Sequence, residues 1–219
     1  MKKFLGYIFS ALMLAACASE LDNEMASEDC GILVNAQCAD TKSTLSPDFD
    51  VVWSKEDRIA VLSLDGETVA VSEPAGADAD ACDFKVNSWP VDKEPRYAVF
   101  NGSSDEVSAS IEGRYIRTSI KTTQLISDEA SFGRDANLSV GELKLSQNGE
   151  WQTRMMNVCA LVGFSLERFD NVKAVSIYNL AGNNALSGTV DIFMEDGVPV
   201  IKNIVGGANP MLPYQLQTA

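Results

Sequence analysis

The chain has no histidine in its 219 residues, and that absence removes more chemistry than any motif adds. Without imidazole there is no Ser-His-Asp or Cys-His nucleophile, no mixed cysteine and histidine zinc centre, and no general base that titrates unaided near neutral pH. Positive charge is also scarce. Lys and Arg number 17 against 31 Asp and Glu, for a net charge of −14. A surface this negative repels phosphate backbones and anionic headgroups, so neither nucleic acid nor polybasic membrane docking is expected. None of the five cysteines forms a Cys-x-x-Cys pair. Long apolar runs are missing as well: the one near the start, residues 4–14, is too short to cross a hydrocarbon layer of about 30 Å. Beyond it no stretch has the 3.6-residue apolar repeat of an amphipathic helix.

What the beginning does contain is an address. Lys2 and Lys3 precede the apolar run, and Leu14-Ala15-Ala16-Cys17 closes it, the arrangement of a secretory signal. Small Ala15 and Ala16 fit a peptidase pocket, and Cys17 offers a thiol for diacylglycerol. The stretch resembles the lipobox of bacterial lipoproteins; the bland alternative is an ordinary signal with a cysteine near its cleavage site. The resemblance implies that residues 1–16 are removed and that Cys17 carries the lipid. Several tens of buried CH₂ groups at about 0.8 kcal/mol each would make such an anchor permanent. Losing Lys2 and Lys3 takes the net charge from −14 to −16. Residues 17–30 then read as an acidic tether, with Glu20, Asp22, Glu24, Glu28 and Asp29 and little to bury. Such a cluster behind a lipidated cysteine resembles a signal for the outer leaflet in some Gram-negative lipoproteins; a merely solvated linker fits equally. The expected location is the outer membrane, lipid-anchored and facing outward.

From Gly31 onward the period is two. Ile32, Val34, Ala36 and Cys38 alternate with Leu33, Asn35 and Gln37, as a strand with one buried face requires. Asp65-Gly66, Asn148-Gly149 and Asp196-Gly197 each separate alternating runs and predict hairpins. Residues 157–166 give the clearest core strand, with Val158, Ala160, Val162, Phe164 and Leu166 on one face, and residues 172–180 its expected neighbour. Many short strands with turns every ten or so residues predict an all-β, antiparallel sandwich fold. The expected units are residues 31–150 and residues 151–219, the second too short in strands to close.

Candidate sites are few. Asp78, Asp80 and Asp83 put three oxygen donors close together, as calcium demands, without the glycine and closing glutamate of an EF-hand. A solvated acidic loop explains them as well. Trp53, Trp89 and Trp151 could stack on sugar rings, although a tryptophan beside a strand more often fills the core. Cys30, Cys38, Cys82 and Cys159 form an even set that invites disulfides, while Cys38 and Cys159 also suit small buried hydrophobes. Gly206-Gly207 lacks the helix signal and the Lys-Ser or Lys-Thr of a phosphate loop and reads as a turn. Acids for glycoside hydrolysis are abundant, but no aromatic-flanked pair stands out. The reading is therefore of no catalytic residues, no cofactor and no metal.

Beyond the lipobox, Thr41-Lys42-Ser43, the run from Trp53 through Asp57 to Ile59-Ala60-Val61, and Tyr97-Ala98-Val99-Phe100 resemble the first half of fimbrillin-like lipoproteins, with Glu56 where that family has a glycine. The run from Phe132 to Leu138 and the stretch from Met156 are similar to the family's middle. The resemblance implies transthyretin-like Greek-key sandwiches and a non-enzymatic pilus subunit, anchor or accessory protein in cell adhesion. Its implied partners are the membrane, through the lipid, and other fimbrial subunits, by strand complementation. Polymerising members are cut after a basic residue, for which this chain offers only Lys42 between the tether and Trp53. A surface glycan-binding lipoprotein is the alternative.

Overall fold

The structure is a computed structural model that describes residues 30–38, 44–45, 51–102, 109–112, 115–121, 124–126, 137–159, 174–178, 186–209 and 211–216. Cys17, the tether before Cys30, Lys42 and most of the expected strand over 157–166 lie outside the described residues. All regular structure within them is β. In chain order the strands are β1 (Cys30–Cys38), β2 (Thr44–Leu45), β3 (Val51–Val52), β4 (Ala60–Ser63), β5 (Val69–Val71), β6 (Ala81–Trp89), β7 (Pro95–Phe100), β8 (Ala109–Glu112) and β9 (Tyr115–Ile120). They continue with β10 (Gln124–Ile126), β11 (Ser139–Glu142), β12 (Lys144–Leu145), β13 (Trp151–Asn157), β14 (Ala174–Tyr178), β15 (Ser187–Glu195), β16 (Val198–Asn209) and β17 (Met211–Leu216).

The largest sheet runs β5-β4-β7-β11-β13-β1-β6, with β12 added beside β13. Its two ends approach each other, because Glu73 N–H beyond β5 donates to the Lys85 carbonyl of β6 at 2.7 Å. The sheet is therefore curled almost into a barrel. Alternation decides what it encloses: Cys82, Phe84 and Val86 of β6 are buried, while Ala81, Asp83 and Lys85 between them are exposed. With Val34, Ala36, Val61, Ala98, Phe100 and Met155 they form a first core around Trp53.

A second sheet, β16-β15-β9-β8, covers the outside of the curl. Ile116, Val190 and Ile192 from this sheet meet Ala60, Leu62, Val99, Leu138 and Val140 in a second core. β4 is consequently buried on both faces, which explains why the run Ile59-Ala60-Val61-Leu62 does not alternate. A three-stranded sheet β10-β17-β14 and the pair β2-β3 complete the described strands.

The turns follow their residues. Asp196 and Gly197 both have positive φ, 51° and 80°, and link Glu195 to Val198 as a two-residue hairpin. The Asp65-Gly66 and Asn148-Gly149 turns also form hairpins, but wider ones, closed by Ser63 to Thr68 and Ser146 to Glu150 backbone bonds. In the first, the Asp65 carboxylate accepts from Ser63 Oγ and the Glu67 N–H, which widens the loop.

Several expectations change. Pairing is not uniformly antiparallel: β1 runs parallel to β13, and β10 runs parallel to β17. The sheets do not part at residue 150, since β13 lies between β11 and β1, and β9 pairs with β15. The described strand before the expected core strand spans Trp151–Asn157, and among the described residues β14 pairs with β17; the expected pairing of 172–180 with 157–166 lies outside the described residues. Gly206 and Gly207 sit inside β16, not in a turn; they fall in a register shift between the Val205–Thr189 and Asn209–Ser187 pairs of the ladder to β15.

Gly141 marks the tightest contact in the curl. A Cβ there would stand 2.1 Å from Thr153 Oγ1 and 2.9 Å from the Arg154 carbonyl oxygen; the hydroxyl can rotate away, but the backbone oxygen cannot. Gly141→Ala is expected to lower unfolding free energy by about 1 to 3 kcal/mol, read as a shift of the urea midpoint at unchanged slope.

Candidate functional site

The stretch from Trp53 to Val61 is organised by one ring. Trp53 is 1% exposed and its indole N–H donates to the Ala36 carbonyl at 2.9 Å. Phe84 and Phe100 meet the ring edge-on at 4.9 and 5.3 Å. Its backbone pairs with Ala79 in both directions. Asp57 N–H then donates to the Ser54 carbonyl, while Asp57 Oδ2 accepts from Ser54 N–H at 2.8 Å. This carboxylate closes the turn and turns the chain into β4, so that Ile59 and Val61 reach the core that Trp53 fills. The stretch is a plug with a hairpin attached, and its chemistry is structural.

The three tryptophans do not make an exposed stacking row. Trp53 is inside, Trp89 is 2% exposed with its indole N–H donating to the Lys93 carbonyl, and Trp151 is half-buried against the first core. The acidic loop is likewise tied to its surroundings. Asp78 Oδ1 accepts from Lys55 N–H, Asp83 Oδ1 accepts from Asn35 Nδ2, and Asp80 gives its backbone oxygen to Cys38 N–H. Among the described residues no group of three or more Asp, Glu, Cys or His is placed to hold a metal ion.

Cys30, Cys38, Cys82 and Cys159 are not joined in disulfides. Cys82 and Cys38 pack into the first core and Cys159 against the second, which is the small-hydrophobe alternative. Burial, and then the nearby Asp57 and Asp83 charges, pushes the Cys82 thiol up. Burial pushes Cys159 up to about 11.

Ion pairs supply what the sequence did not point to. Lys93 Nζ sits between Asp65 Oδ2 at 2.6 Å and Glu67 Oε2 at 2.7 Å. The Lys93 ammonium holds the Asp65 carboxyl well below its usual range, so it stays ionised and cannot act as a proton donor. On the second sheet Arg117 grips Asp191 with two bonds, Nε to Oδ1 at 2.7 Å and Nη2 to Oδ2 at 3.1 Å. Asp191 is 3% exposed on the face turned away from the second core, covered by that guanidinium. The partners are 74 residues apart, and only the register of β9 on β15 brings them together. Alternation could mark both as outward-facing; nothing in the sequence pairs them.

The remaining feature is an edge. Among the described strands β16 has β15 as its sole neighbour, and Val198 and Ile204 along it are 46% and 37% exposed. Comparison of the chain with protein-family models, curated proteins and solved structures finds no match.

Two outcomes are expected. A maleimide at pH 8 should label exposed Cys30 at least about tenfold faster than Cys82 or Cys159, the difference vanishing in denaturant; mass spectrometry of the labelled peptides reads it. Arg117 lowers the Asp191 pKa on folding, so the pair stabilises above the ordinary carboxylate value of 3.8 and the gain is lost as pH falls below it. Asp191→Asn should therefore lower the melting temperature at pH 7 and make it less sensitive to acid than that of the unsubstituted chain.

Proposed function

We propose that this chain is a non-enzymatic, lipid-anchored surface protein of fimbrillin type, working as a structural, anchoring or accessory subunit of a pilus in cell adhesion. The observation that carries the reading is a lipobox at Cys17 ahead of an all-β body. The Trp53 plug, its Asp57 turn and the inward Ile59 and Val61 support it, since these are the residues in which the family resemblance lies. So does the second sheet packed on the curled one, as a sandwich of two sheets requires.

Pilus subunits of this kind join when an extended strand of one completes the sheet of another, main-chain hydrogen bonds giving affinity and alternate side chains giving specificity. Among the described strands β16 has an open edge of the kind that such a strand needs. With Lys42 the only basic residue between the tether and Trp53, an uncut chain would anchor or cap. Glycan binding is not favoured, because two of the three rings it would use are enclosed.

Labelled palmitate should enter the full chain, the protein should fractionate with outer membranes and co-purify with surface filaments, and its mature N-terminus should be Cys17 or follow Lys42. Cys17→Ser should abolish labelling and release the protein from the membrane. Retention of an unlabelled Cys17→Ser form at the envelope would overturn the reading.

A further inference from the structure

The second sheet can be followed across its strands row by row. On its core side one row runs Ile111, Ile116, Ile192 and Ile201, and Ile201 packs partly buried against the second core. The adjacent row runs Ala109, Thr118, Val190 and Ile204. Thr118 and Val190 are buried, yet Ile204 at the end is 37% exposed. An apolar row thus stops in water where the sheet runs out.

Open edges of soluble proteins are blunted by inward charge, proline or a covering element. Pro199 and Lys202 lie early in β16, and Lys202 falls where the β15 register shifts, its ammonium paired with Glu195 and 5.9 Å over the Phe193 ring. Residues 203–209, Asn-Ile-Val-Gly-Gly-Ala-Asn, contain no charge and no proline. The ladder to β15 shifts register between Val205 and Asn209, but no other described strand pairs with this half of the edge.

We propose that the β16 edge is the interface of a symmetric homodimer, in which β16 of a second copy pairs antiparallel with it and fuses two four-stranded sheets. The strand complements itself. With Ile204 opposite Ile204 at the two-fold axis, the row continues from Val190 and Ile204 of one copy into Ile204 and Val190 of the other. In the same register each Lys202 falls opposite Gly206, which has no side chain to meet it, and no like charges face each other. Such an isologous contact closes on itself, and leaves at the far end of each sheet only the short strand β8.

Sedimentation velocity of the detergent-solubilised full chain at micromolar concentrations should show a dimer. Ile204→Lys, which sets two ammonium groups against each other at the axis, should raise the dimer dissociation constant by about tenfold or more, with the circular dichroism spectrum unchanged. In a Cys30→Ser background, Ile204→Cys should give a disulfide-linked dimer on mild oxidation, and Leu145→Cys, exposed on another sheet, should not. A monomer at all concentrations, open-ended oligomers, or a dimer indifferent to Ile204→Lys would overturn the proposal. Cys17→Ser should leave the dimer intact, so failure of membrane anchoring and failure of this pairing are read separately.

Discussion

The structure depends on two stretches buried on both faces, β4 and residues Ala98 to Phe100 of β7. β4 and β7 turn Val61, Ala98 and Phe100 toward the Trp53 core and Ala60, Leu62 and Val99 toward the second sheet. Each apolar side chain that such strands bury is worth about 1.5 to 3 kcal/mol, and here both sides of the same backbone count. The curl of the large sheet and the docking of the small one are therefore coupled: loosening either exposes apolar surface on β4. The Trp53 indole bond to the Ala36 carbonyl ties β1 into the same unit. Because β1 lies between β6 and β13, the first described strand is a central one.

That arrangement also explains what could be read from the sequence and what could not. Alternation is a local signal, and it located β1, while turn chemistry located the two-residue turn at Asp196-Gly197; β6 alternates as clearly but begins in what reads as an acidic loop. It failed where burial is two-sided or pairing is distant. The parallel match of Val34 to Trp151 joins residues over a hundred positions apart, and no turn chemistry announces such a crossover. A boundary at residue 150 looked natural because the Asn148-Gly149 turn is strong, but that turn only attaches the short strand β12 to β13. Gly206 and Gly207 look like a turn in composition, yet they lie in a bulge within a twelve-residue strand that pairs with β15 on either side of them. Tertiary pairing outweighed local preference at each of these points.

Electrostatics follows the same division. The acid excess was plain from composition, but its internal use was invisible. Asp57 shapes a turn, Asp65 anchors Lys93 beside the Trp89 loop, and Asp191 sits under Arg117. The tool is the same in each case, a carboxylate taken from a surplus and satisfied by N–H donors. What distinguishes them is burial: Asp65 is exposed, where an ion pair contributes little, whereas Asp191 is covered and would be costly to leave without Arg117.

An edge can be used once. A strand supplied from another subunit and a second copy of β16 would compete for the same row of backbone groups, so a closed dimer at β16 would take that edge out of filament growth. Growth would then need another opening. The seam between β5 and β6 is the alternative in the large sheet, where the strand ladder stops and a Glu73 to Lys85 backbone bond crosses the gap. Val69 and Val71 stand exposed beside it, but opening that seam would uncover Phe84 and the Trp53 core, whereas among the described strands the β16 edge is already without a partner. The energetic order of the two edges thus favours association at β16 first, and makes a protein held in that pair a better anchor or cap than a link in a chain.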